Sequence, residues 1–178
     1  MATNNVKNPF GDDSKQARVE EFALLALAKW GLTDWTFVWD TKALRRYGQC
    51  RYRKHEIGIT LVLANLNSFE ETKDVILHEI AHALTGSGHG HDWMWRRMCI
   101  KVGARPERCY TPEARGGEVK TVEGKWKLIL TDTGEVIRSY HRQPKIRDWS
   151  SRWITGRKAE TFGKLQVVQH NPKSQESS

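Results

Sequence analysis

An α+β fold is predicted, on three observations. Apolar residues between Val19 and Trp30 recur at helical spacing. Three short runs between Thr33 and Val62 alternate as strands do. A further apolar stretch, Phe69 to Leu84, returns to helical spacing and carries polar residues that a core helix rarely holds without partners.

Each element has its own signal. Residues 1–13 are polar and read as a flexible lead. Ser14 is a plausible cap for a first helix whose stripe is Val19, Phe22, Ala23, Ala26, Leu27 and Trp30; Leu24 and Leu25 widen it and Gly31 ends it. Trp35, Phe37 and Trp39 mark a strand over Thr33 to Asp40 with both faces largely apolar. Tyr47 to Lys54 reads as a half-exposed strand, and Ile57 to Val62 as a third. Short connections make the three an antiparallel meander, with His55 a solvent-facing turn residue. Ser68 and Glu71 form a capping box that starts the second long helix, and Gly86 stops it.

Composition sets bounds. The chain has 178 residues, enough for one domain with a small appendage. Residues 1–93 hold 11 Lys and Arg against 12 Asp and Glu; residues 94–178 hold 18 against 9. That basic half either serves solubility or faces an acidic partner, nucleic acid being the commonest. Cys50, Cys99 and Cys109 are odd in number and form no CxxC pair, which argues against a disulfide framework or a cysteine metal site. With no apolar leader and no long apolar run, the expectation is no signal peptide, no membrane span and a cytoplasmic or otherwise intracellular protein.

The second helix carries His78-Glu79-Ile80-Ala81-His82, an HExxH motif. Residues four apart share a helix face, so both imidazoles can reach one Zn²⁺. Glu79 is placed to act on a metal-bound water as general base. A catalytic zinc site takes three protein ligands and keeps one position open. His89, His91 and Asp92 are the candidates for the third. His91 lies four before Trp95 and continues the inward face of a following helix whose stripe is Trp95, Met98, Cys99 and Val102. His89 extends toward Trp93, Arg96 and Arg97, a more solvated face, and is the alternative. The metzincin pattern fails, because Thr85 and Gly88 occupy its Gly and His positions. A thermolysin-like glutamate ligand is poorly served, since no Glu occurs between His82 and Glu107.

The run HEIAHALTGSGHGHDWMWRRMCIKVGARP, with TDWTFVWD and RRYGQCRYRKHEIGITLVLANL upstream, resembles the SprT-like (Spartan-type) zinc metalloproteases over roughly residues 15–108. That resemblance implies a minimal zincin core over 14–110, one Zn²⁺ on His78, His82 and a later His, and a catalytic Glu79. Aligning the aromatic and Gly103 puts the third ligand at His91; aligning the His-Gly pair puts it at His89. The resemblance further implies protein substrates, including proteins bound to or crosslinked with DNA.

Past Pro106 the match weakens. Many relatives carry a cysteine zinc ribbon there, and only Cys109 is present. Residues 111–170 read as a basic β-rich appendage. Trp126 to Leu130 and Val136 to Tyr140 form a hairpin about Asp132-Thr133-Gly134. A second pair is expected from Trp149 to Ile154 and Leu165 to Val168, with Trp126, Trp149 and Trp153 as an apolar core. Arg138, His141, Arg142, Lys145, Arg147, Arg152, Arg157 and Lys158 interleave with aromatics, a pattern suited to single-stranded DNA. The competing reading is a core of aromatics under solvated charges. Residues 171–178 are polar and expected to be disordered. The activity expected is zinc-dependent peptide-bond hydrolysis; the rival is a zinc-stabilised nucleic-acid-binding or structural protein without catalysis.

Overall fold

The computed structural model describes residues 13–108, 119–146 and 148–170. The expected lead up to residue 12, the expected tail, Cys109, Arg147 and the expected boundary near 110 lie outside the described residues, while Asp13 already belongs to the first helix. Two compact units are present, Met1–Val122 and Glu123–Ser178. Both helices and small sheets occur, so the fold is α+β. No helix among the described residues is long and apolar enough to cross a membrane.

In the first unit, α1 spans Asp13–Lys29 and buries Val19, Ala23, Ala26 and Leu27. Leu24 and Leu25 do not widen that stripe: they stand 53% and 64% exposed. At 3.6 residues per turn they fall beyond the buried face set by Val19, Ala23 and Ala26.

The sheet contains β1 (Thr36–Asp40), β2 (Gly48–Arg51) and β3 (Glu56–Thr60), in the order β1-β3-β2. It is not the meander expected, because β1 runs parallel to β3 while β2 is antiparallel to it. Burial explains the order. Ile57, Gly58, Ile59 and Thr60 are all buried, and a strand covered on both faces belongs in the centre of a sheet. The chain leaves β1 through Asp40, whose carboxylate accepts from the amides of Lys42 and Ala43 and turns it away.

Two further boundaries differ from expectation. The second strand gives way to a 3-10 turn at Tyr52–Lys54, closed by His55 at φ 50°. His55 is half-exposed, stacks on Trp35 at 5.0 Å and pairs with Asp34 at 2.6 Å. The third strand stops at Thr60, whose hydroxyl donates to the Arg46 carbonyl, and Leu61–Leu66 forms α2. Leu61 and Val62 were expected in the strand; helix wins because it turns Leu63 and Ala64 together into the core.

The central element is α3, Phe69–Thr85. Ser68 caps it by accepting from the Glu71 amide at 3.1 Å, and Gly86 ends it at φ 95°. Its middle turns bury Val75, Ile76, Ile80 and Ala81. The Glu71 and Asp74 carboxylates accept from Arg105 and fasten the segment after the next helix to α3. That next helix, α4, spans Trp93–Val102 and buries Trp95, Cys99 and Val102.

In the second unit, β4 (Trp126–Leu130) lies between β5 (Val136–Tyr140) and β6 (Leu165–Gln169), antiparallel to both. A short α5, Lys158–Thr161, precedes β6. The expected second strand pair is absent among the described residues: 149–154 is not strand, and β6 joins the first hairpin. The core is Leu128, Leu130 and Leu165, not three tryptophans. Trp149 packs against it, but Trp153 is 46% exposed.

Candidate metal centre

The middle of α3 positions three polar side chains. His78 and Glu79 are buried, at 4% and 7% exposure, and His82 lies one turn on. After Gly86 the chain turns back, and His91 sits one residue before the cap of α4. The His91 Nε2 lies 3.2 Å from His82 Nε2 and 3.3 Å from His78 Nε2. One ligand atom from each of the three lies within 4.8 Å of the others, so the trio can hold a metal ion. Tetrahedral donors bonded at about 2.0–2.1 Å stand about 3.3 Å apart, close to the separations seen here.

The rings share one floor. Trp95, fully buried, has its ring centroid 4.7 Å from His78, 5.2 Å from His82 and 4.5 Å from His91. Burial lowers His78 to about 3 and His82 to about 4, with neighbouring imidazoles adding to the effect. His91 is lowered by burial and then by the charges of Arg108 and Arg96. Neutral rings at neutral pH offer the lone pairs a metal requires.

His89 does not join the trio. Its Nδ1 lies 2.7 Å from Asp92 Oδ2. The other oxygen of Asp92 accepts from the Met94 and Trp95 amides at 3.0 Å each. One carboxylate thereby caps α4 and turns His89 aside.

Glu79 sits against β2. The Cys50 backbone amide donates to its carboxylate. Burial pushes the group up to about 8, against that hydrogen bond and the charge of Arg46. A cleft of about 580 Å³ opens over Glu79 and the three rings, lined also by Tyr52 and by Arg45, Arg46 and Arg108.

Two residues of the site carried a weaker sequence signal. Trp95 read as ordinary core. Gly48 was one glycine in a basic strand, yet glycine inside a strand often marks a close approach. A Cβ there would lie 2.6 Å from Glu79 Oε1 and 2.7 Å from Val75 Cγ1. Gly48→Ala is therefore expected to lower stability by about 1–3 kcal/mol, as overpacking does. Chemical denaturation checks this, with Gly90→Ala as the control, since a Cβ there meets nothing within 4 Å.

The basic candidates all belong to the second unit. Arg157 is engaged by Glu135 through both terminal nitrogens at 2.9 Å, and by Glu160. Lys158 lies over the Trp153 ring at 4.5 Å. Arg138, Arg142, Lys145 and Arg152 are exposed.

The SprT-like family model matches residues 17–114. Comparison with curated proteins returns no match. The matched region spans the HExxH helix and the loop bearing His91, and it covers more than half of the sequence: the chain belongs to the SprT-like family.

Proposed function

We propose that this chain is a zinc-dependent metalloprotease with a minimal zincin core. One observation carries the reading: three imidazole nitrogens converge beside a buried carboxylate at the floor of an open cleft. Family membership supports it, since it suggests a metalloprotease-type activity.

His78, His82 and His91 would hold the zinc, and the all-nitrogen donor set with room above it suits that ion. When bound, zinc would supply Lewis acidity to a scissile carbonyl and to the attacking water. Beside that cation Glu79 would be ionised, and it would take the proton from the water as the water's oxygen bonds to the carbonyl carbon. The carboxyl group then delivers the proton to the departing amine nitrogen as the C–N bond breaks. The Cys50 amide and Gly48 keep the carboxylate aimed while this happens.

A nucleic-acid partner, single-stranded DNA favoured, is proposed for the second unit, with DNA-associated proteins as substrates. Exposed Arg138, Arg142, Lys145 and Arg152 support it, with the exposed Trp153 and Phe162 rings 6.0 Å apart. Arg157 and Lys158 are weaker candidates, since carboxylates and a tryptophan already occupy them. Changing the four exposed residues to Gln should flatten the salt dependence of binding, by about 3 in the log–log slope if each contacts one phosphate. Fluorescence anisotropy on a single-stranded oligonucleotide checks this, and an unchanged slope counts against the assignment.

The same basic surface would suit a non-catalytic, zinc-stabilised binding or assembly protein. The separating experiment measures zinc stoichiometry and cleavage of a DNA-bound protein, with and without single-stranded DNA. One zinc per chain with metal-dependent cleavage supports the protease. One zinc per chain with no cleavage of any protein substrate favours the rival.

A further inference from the structure

The cleft over the three histidines has an uneven charge. Among the described residues that line it, Glu79 is the only carboxylate, and it is buried at the floor. Three guanidinium groups line the same cleft, from Arg45, Arg46 and Arg108. They come from separate parts of the chain: Arg45 and Arg46 from the approach to β2, Arg108 from the segment after α4.

These cations are not equally available. Arg46 donates to Asp40 at 2.6 Å, and Asp40 also accepts from Arg51. Arg45 and Arg108 make no ion pair among the described residues. Both are exposed. Among the described residues, two cations without an ion pair therefore border a cleft whose one carboxylate is buried. A peptide laid across this floor brings side chains on either side of its scissile bond past them.

We propose that the cleft selects peptide segments bearing Asp or Glu close to the bond to be cut, with Arg45 and Arg108 as the specificity-determining residues. The inference rests on the protease reading for its cleavage step but not for its binding step. An exposed cation near a bound carboxylate favours it modestly, while a lysine in the same place is repelled. The preference is electrostatic, so it weakens as salt shortens the screening length. A nucleic acid could answer to the same charges. A peptide is favoured because the arginines border the cleft directly over the metal centre, where the polymer to be cut must lie.

The test uses full-length, zinc-loaded protein and three fluorescent peptides, identical except for Glu, Ala or Lys flanking a central bond. Binding is measured on the Glu79→Gln protein, and cleavage on the protein with Glu79 intact. The Glu peptide should bind about tenfold tighter than the Lys peptide at low salt, the gap closing at high salt. Arg45→Glu/Arg108→Glu should reverse the order. Equal binding, a preference for Lys, or an order unmoved by the double variant overturns the proposal. Displacement of the Glu peptide by a short oligonucleotide that binds more tightly, and loses affinity in the double variant, assigns the arginines to nucleic acid instead. Acid-selective binding without cleavage of any peptide leaves the selectivity standing and removes the protease reading.

Discussion

Glu79→Gln is expected to reduce peptide-bond cleavage by about 10²–10⁴-fold, the range a positioned general base supplies. Bound zinc and fold should survive. The side chain is 7% exposed and its carboxylate is met by the Cys50 amide, which a glutamine oxygen can also accept from. The imidazoles that would hold the ion come from His78, His82 and His91 and are untouched. The metal-free protein carries a second signature. Burial raises Glu79 from 4.5 to about 8, so the folded state holds a proton that the unfolded chain has released between those values. The Glu79 contribution to stability is then greatest below pH 4.5 and is lost as pH rises toward 8. The three histidines act oppositely. Their lowered values make the unfolded chain bind more protons below about 6.5, so their contribution is lost as pH falls. Comparing the metal-free variant with its parent isolates the glutamate. The variant should gain relative stability as pH rises from 5 to 8, measured by denaturant unfolding. Undiminished cleavage, with zinc retained, would falsify the assignment of Glu79 as the base.

Ser68 and Asp92 start helices, and Gly86 and Gly103 end them, by local chemistry, and such boundaries depend on a few adjacent residues. The histidines of α3 were legible for a related reason, since helical spacing converts directly into a shared face. Strand pairing was not legible. The alternation of Phe37, Cys50 and Ile57 says which residues share a face, but nothing local states that β3 lies between β1 and β2. That order follows from burial on both faces of Ile57 to Thr60, a tertiary property. Gly48 is the same case at the site. Its need for glycine comes from Glu79, thirty-one residues away in sequence. In the second unit, aromatic residues outranked leucines as core candidates by size. Leu128, Leu130 and Leu165 prevail there because alternate positions of β4 and the first residue of β6 point to one side of the sheet.

His91→Ala should abolish stoichiometric zinc binding, whereas His89→Ala should retain it. The two residues stand two apart in one glycine-rich turn, and both are partly buried. Only their side chains differ in direction. His91 Nε2 closes the triangle with His78 and His82, while His89 Nδ1 is held by Asp92. Losing a residue that merely orients a metal ligand costs about 10–100-fold in affinity, so losing a ligand should cost more than about 100-fold. The His89 change removes a partner of Asp92 but leaves that residue's bonds to the Met94 and Trp95 amides, which fix the start of α4. A modest fall in affinity, within about tenfold, is therefore expected there. Thermal unfolding reads the same difference. At zinc activity one hundred times the dissociation constant, binding adds about 2.7 kcal/mol to stability. That increment should appear in the parent and in His89→Ala, vanish on chelation, and be missing from His91→Ala at any chelator concentration. Metal-free His91→Ala should unfold close to its metal-free parent, because the ring is only partly buried and its hydrophobic support, Trp95, stays in place. If His89→Ala empties the site and His91→Ala keeps a full zinc, the trio seen here is the wrong ligand set, and the base at Glu79 would have to be reassessed around a different ion position.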